Sequence, residues 1–206
     1  MISEVLLIRH AESDTNQQAH LIGTRSPSAP LTTQGELQAR QLGRYLQDAH
    51  EIPSHIVASP ALRARQTARI AIGTMHLSTD IHIEEGFQEV NHGDWEGLPR
   101  ESVYTPAVLQ RIDDMNGTFR APGGESTKDV ARRMFAALTK HTVSLVEPGP
   151  VHVYSHGFAI RSLVGLIEGW DHQKVHQTSL GNTAVTQLSF NYGWAVDAFA
   201  QTPQKK

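Results

Sequence analysis

The 206-residue chain contains no cysteine. That excludes disulfides, a thiol nucleophile and zinc–thiolate centres, and it suits a reducing, cytoplasmic compartment. Charge of one sign is equally scarce: the formal balance is −3, and the only like-charged block is Lys205-Lys206 at the end. A basic surface for nucleic acid or for an acidic membrane is therefore not expected. No apolar run is long enough to span a bilayer, and residues 1–8 are too short for a signal segment. Repeats, linkers and low-complexity stretches are missing too, so residues 1–206 read as a single domain. Several catalytic signatures are absent. No G-x-S-x-G elbow surrounds Ser13 or Ser155, and there is no glycine-rich phosphate or dinucleotide loop and no H-E-x-x-H helix.

What is present begins with Val5-Leu6-Leu7-Ile8, an apolar run that stops at Arg9-His10 and a polar turn. Such a run reads as a strand buried on both faces, as parallel sheets require. Thr33-Gln34-Gly35-Glu36 fits a capping box opening a helix through Leu37, Ala39, Leu42, Tyr45 and Leu46. His55 to Ala58 reads as a second strand. Ser59 then fits an N-cap and Pro60 a first helical position, for a helix over Ala61 to Ile72 carrying Arg63. Residues 81–97 contain a short strand and an acidic, glycine-containing stretch, and residues 98–124 read as irregular or weakly helical.

A second capping box, Ser126-Thr127-Lys128-Asp129, opens a helix through Val130, Met134, Phe135, Leu138 and Val146. Val151 to Tyr154 is a further strand, followed by Ser155-His156-Gly157 and a helix over Phe158 to Ile167. Two strands, Thr183 to Phe190 and Trp194 to Phe199, finish the pattern. Strands alternating with helices predict an α/β fold, a three-layer α/β/α sandwich with a mostly parallel central sheet.

In open α/β sheets, ligands sit beyond the carboxyl ends of the strands. Three strand ends carry Arg9-His10, a helix with Arg63, and His156-Gly157. Arg9 and His10 alone are equally compatible with a surface charge and a satisfied loop histidine. Together, the three ends place helix N-termini, forked guanidinium donors and imidazoles where an anion would offset their charge. Twelve histidines raise the question of a metal. His152 and His156, however, lie about 13 Å apart on an extended strand, and His50, His76, His82 and His172 flank turns and read as solvated. No metal and no cofactor are expected, and histidine itself is the candidate nucleophile.

The ordered series Leu7-Ile8-Arg9-His10-Ala11-Glu12-Ser13 with Asn16, Pro30-Leu31-Thr32 with Gly35, and Ser59 to Ala68 resembles the histidine phosphatase superfamily, which includes the cofactor-dependent phosphoglycerate mutases. Glu89 with Gly93-Asp94-Trp95-Glu96-Gly97, Pro122 to Ser126, and Ser155-His156-Gly157 complete it, spanning residues 5 to about 190. The resemblance implies a phosphoglycerate mutase-like fold in which His10 becomes a phosphohistidine. Arg9, Arg63 and His156 would hold the phosphoryl oxygens, with further donors from Asn16, Gly23 and Gly157. It also selects Glu89, among Glu84, Glu85, Asp94 and Glu96, as the group that protonates the leaving oxygen. Three features depart from the pattern: Ala11 for glycine, a loop from Gly23 to Pro30 two residues longer, and Ser28 for aspartate. Ala11 implies a turn without positive φ.

Mutases of this family carry a long insertion where this chain has only residues 98–122 as a small cap, so the resemblance points to the compact, broad-specificity phosphatases. In that cap Arg100, Tyr104, Val108, Arg111, Phe119 and Arg120 are candidates for contacting a leaving group. The expected activity is phosphomonoester hydrolysis of a small phosphorylated metabolite. Mutase activity and a catalytically silent phospho-ligand binder are the alternatives. Self-association into a homo-oligomer stays open.

Overall fold

The computed structural model describes residues 4–23, 25–143 and 149–203. Its strands are β1 (Glu4–Arg9), β2 (His55–Ala58), β3 (His82–Ile83), β4 (Val151–Ser155), β5 (Val185–Phe190) and β6 (Trp194–Gln201). They form one six-stranded sheet in the order β3-β2-β4-β1-β5-β6. The first four of these run parallel, and β5 and β6 are antiparallel.

The apolar run of β1 divides by strand periodicity between two cores. Val5 and Leu7 pack with Val130, Met134 and Leu138 of α6 (Thr127–Thr142) and with Ile160, Leu163 and Val164 of α7 (Gly157–Glu168). Leu6 and Ile8 face the other way. They pack with Leu42 and Leu46 of α2 (Thr33–Asp48), which follows the single-turn α1 (Asp14–Gln17), and with Ala68, Ala71 and Ile72 of α3 (Leu62–Thr74). Helices thus cover both faces of a mostly parallel sheet, the three layers the alternation predicts. Each large aliphatic side chain sealed in these layers contributes roughly 1.5–3 kcal/mol.

Local details differ from the sequence pattern. Thr32, not Thr33, caps α2, its Oγ1 accepting from Gly35 N at 3.0 Å. The shift follows from packing, because Thr32 N donates to Glu12 O at 3.1 Å. A Cβ on Gly35 would lie 1.9 Å from that same carbonyl, so only glycine lets α2 start against the loop after β1. Helix α3 begins at Leu62 with Ala61 as its cap, leaving Ser59 and Pro60 outside; the Ser59 hydroxyl still accepts from Ala61 N at 3.3 Å and also meets His156 Nε2 at 2.8 Å. The Ser126–Asp129 box forms as expected, with Ser126 N donating to the carboxylate at 2.9 Å. Val146, expected at the end of that helix, lies outside the described residues. Residues 98–124 hold two short helices, α4 (Arg100–Val103) and α5 (Pro106–Asp114), the latter capped by Thr105. The last hairpin starts at Val185, Thr183 having left extended geometry with φ +57°. No described helix is long and apolar enough to cross a membrane.

Candidate active site

Parallel pairing brings the carboxyl ends of β1, β2 and β4 to one edge. Arg9 is level with Ser155, and Ala58 with Tyr154. His10 and His156, each one residue further on, therefore come side by side with ring centroids 5.2 Å apart. A cavity of about 620 Å3 opens above this edge, and its wall includes Arg9, His10, Asn16, Gly23, Arg63 and Glu89.

His10 is almost wholly buried, and its Nδ1 lies 2.7 Å from Ala11 O. A carbonyl only accepts, so Nδ1 carries the proton and Nε2 keeps a lone pair. Arg63 Nε donates to that lone pair at 3.3 Å. Burial first, then the Arg63 and Arg9 cations, hold the His10 pKa well below its ordinary value, so the ring is neutral. Ala11 adopts no positive φ, as its replacement of glycine implied.

The two arginines are fixed by backbone carbonyls. Arg9 Nη1 donates to Leu180 O, and its buried Nε meets no partner among the described residues. Arg63 Nη1 donates to Ser26 O at 2.9 Å. Neither forms an ion pair within 4.0 Å among the described residues, and burial lowers both pKa values. Buried cations with no carboxylate in direct contact leave a site that favours an anion. Gly157, on the wall, lets Arg9 close in: a Cβ there would stand 3.2 Å from Arg9 Nε.

Glu89 comes from an irregular segment yet is tightly held. Its Oε1 accepts from Val90 N at 2.9 Å and Ala159 N at 3.0 Å, and its Oε2 accepts from Phe158 N at 3.2 Å. The carboxylate thus sits in the first turn of α7, where free N–H groups and the helix dipole favour negative charge. None of Glu84, Glu85, Asp94 or Glu96 lines this cavity. Asn16 is on the wall, its Oδ1 accepting from Ser13 N at 3.0 Å.

His156 is placed differently from its expected contact with a ligand. It is fully buried behind His10, off the cavity wall, with Nε2 2.8 Å from Ser59 Oγ. Of the six residues singled out in segment 98–122, only Arg100 and Tyr104 reach the cavity. Arg120 pairs with Asp129 at 3.0 Å, and Phe119 packs on Trp95. His172, read from sequence as solvated, is buried beside His176 and Thr127. Among the wall residues that sequence reasoning missed are His92, Arg161 and His176. Arg161 had one available signal, its position a helical turn after Gly157, whose carbonyl its Nε reaches at 3.1 Å. Among the described residues no group of three or more histidines and carboxylates is arranged to hold a metal ion.

The model of the histidine phosphatase superfamily (branch 1) matches residues 5–202. The chain belongs to that superfamily. Among curated members, an uncharacterized phosphatase, PhoE, of Bacillus subtilis is 32% identical over 191 residues, covering 92% of this chain and 89% of its own. A probable phosphoglycerate mutase, GpmB, of Photorhabdus laumondii is 31% identical over 202 residues, covering 94% and 91%. Solved structures of the same fold include a mycobacterial glucosyl-3-phosphoglycerate phosphatase with VO3, at TM-score 0.83 and 24% identity, covering 98% of this chain and 100% of that one. A phosphoserine phosphatase of Entamoeba histolytica with 3-phosphoglyceric acid also has TM-score 0.83 at 24% identity, covering 98% of each chain. This member of the superfamily therefore shares its fold with those solved structures.

Proposed function

We propose that the protein is a phosphomonoester hydrolase that works through a phosphohistidine on His10, acting on a small phosphorylated metabolite in the cytoplasm. The observation that carries this reading is the His10 tautomer: its lone pair on Nε2 faces a cavity flanked by Arg9 and Arg63. A substrate phosphate takes over the Arg63 Nε donor and frees that lone pair for attack. The P–O bond to the alcohol breaks as the N–P bond forms, and the equatorial charge is held by Arg9 and Arg63. His156, whose buried Nδ1 has no partner among the described residues, is the further imidazole assigned to a phosphoryl oxygen; Asn16 and the backbone at Gly23 and Gly157 supply further donors. Glu89 gives a proton to the departing oxygen. It then takes a proton from the water that cleaves the N–P bond, so phosphate leaves and the His10 lone pair returns.

Mutase activity is the competing reading, supported by relatives described as probable phosphoglycerate mutases. The brevity of segment 98–122 favours hydrolysis, because a mutase must retain its departing phosphoglycerate and exclude water. Release of inorganic phosphate from a panel of phosphomonoesters, measured beside interconversion of 3- and 2-phosphoglycerate, decides between them. Sustained release with slow isomerisation is expected. Fast isomerisation with negligible release contradicts the proposal, and inertness in both assays favours a silent binder.

A further inference from the structure

Glu89 belongs to no helix or strand. It lies in the irregular stretch between a helical turn at Glu85–Phe87 and another at Gly93–Trp95. What fixes this stretch is a set of three charged side chains, none of which lines the cavity. Arg133 of α6 commits all five of its N–H groups here. Its Nη1 donates to Gly86 O at 2.9 Å and Gln88 O at 2.7 Å, and its Nη2 to Glu89 O at 2.9 Å. The remaining two form a fork on Glu125, at 2.8 Å and 3.0 Å. Arg25, from the loop after Gly23, donates Nε to Glu89 O at 2.9 Å and Nη2 to Glu125 Oε2 at 2.9 Å. Glu125 Oε2 also accepts from Asn91 N at 2.9 Å. The Glu89 carbonyl is therefore held by two guanidinium groups, while its carboxylate is held by the first turn of α7.

We infer that Arg133, Glu125 and Arg25 are positioning residues for proton transfer: they clamp the Glu89 backbone so that its carboxyl meets the departing oxygen. This rests on the reading of Glu89 as the acid. Stability alone does not explain the cluster, because a half-buried set of charges returns little net energy after desolvation. Helices α6 and α7 are already joined through Val130, Met134, Leu138, Ile160 and Leu163. What the cluster adds is geometry. A planar fork fixes direction as well as distance, and a misplacement of about 1 Å at a reacting group costs up to roughly 100-fold in rate. Arg25 extends the clamp to the loop that carries Ser26, the partner of Arg63. The same loop thus touches both the phosphate-holding and the proton-carrying halves of the site.

The test compares kcat/KM for an alkyl phosphomonoester and for a nitrophenyl phosphate, in the native enzyme and in Glu89→Gln, Arg25→Ala, Glu125→Gln and Arg133→Lys. An alkyl alkoxide needs the proton; nitrophenolate leaves without it. The clamp variants are expected to lose about 10- to 100-fold on the alkyl ester and under about 3-fold on the aryl ester, the pattern of Glu89→Gln in milder form. Inhibition by inorganic phosphate should stay within about 3-fold, since Arg9 and Arg63 are untouched. Arg133→Lys keeps the charge but loses the fork, so it should not rescue. Should that variant fail to fold, Arg25→Ala decides, because Arg25 sits on a loop with 27% of its side chain exposed. Equal losses on both esters, or none, in folded clamp variants while Glu89→Gln discriminates would overturn the clamp alone. A Glu89→Gln enzyme that does not discriminate overturns the acid assignment, and the clamp with it.

Discussion

Arg63 Nε donates to His10 Nε2 across 3.3 Å, so the lone pair proposed to attack phosphorus is engaged by the cation proposed to hold the phosphate. The contact fixes the ring tautomer and lowers the imidazole pKa at once, with burial the larger cause. Attack then requires only that phosphate replace the imidazole as the acceptor of that donor.

The pH behaviour of His10 follows. A pKa held well below 6.5 means that the ring stays neutral through the neutral range and is lost to protonation only in acid. Heteronuclear NMR of the imidazole should show no His10 titration between about pH 6 and 8. In Arg63→Met the removed cation should let the pKa rise, with kcat/KM lower by at least about 100-fold. A native His10 that titrates at the ordinary value contradicts this.

Gly157→Ala should separate activity from stability. The added Cβ would stand 3.2 Å from Arg9 Nε and 3.5 Å from its Cδ and Cζ, so the guanidinium must shift. Gly157 opens α7 without a positive φ, and alanine suits that backbone. The expected result is an unchanged or slightly raised Tm, with inhibition by inorganic phosphate weakened by about 10-fold or more. A drop in Tm with phosphate inhibition intact would mean that the Gly157–Arg9 approach is structural only.

Acid sensitivity should have a clear source away from the site in His152. His152 is fully buried in β4, and neither ring nitrogen has a partner of good hydrogen-bond geometry. Burial holds its pKa down at about 3, against a weaker upward pull from the Glu51 backbone. The unfolded chain takes up this proton near pH 6.5 and the folded chain only near pH 3, so the unfolded state binds more protons in between. Stability is therefore fully present above pH 6.5 and falls as the pH drops, by about 2 kcal/mol from this group by pH 5. Urea unfolding at pH 7 and 5 should show His152→Leu losing about 2 kcal/mol less than the native chain. An identical loss in both would show that His152 is not a source.

Much of this architecture was legible in the sequence because its signals are local. An apolar run ending in Arg9-His10, a second strand leading to Arg63 and a third leading to His156 suffice once the sheet is parallel, since the register brings those ends together. Glu89 was legible only through resemblance to the family, because what distinguishes it from Glu84 or Asp94 is contact with α7, some seventy residues away. His176 reaches the cavity from the short helix His172–Gln177 and His92 from the loop after Glu89, so no pattern of spacing marks them, whereas Arg161 follows Gly157 by one turn of α7. The cap of α2 moved by one residue because Thr32 and Thr33 are chemically alike and packing against Glu12 chose between them. His156 was expected at the ligand. Its Nε2 instead meets the Ser59 hydroxyl, while its buried Nδ1 has no partner among the described residues, an arrangement of two strand ends that residue order alone does not reveal.

The central claim is that His10 carries the phosphoryl group, and rapid acid-free quenching with a radiolabelled phosphomonoester tests it most directly. The native enzyme should retain an acid-labile, base-stable label that maps to His10, appears within one turnover and is discharged by water, while His10→Ala retains none. An active enzyme that never holds label, or one labelled equally after His10→Ala, would contradict the account.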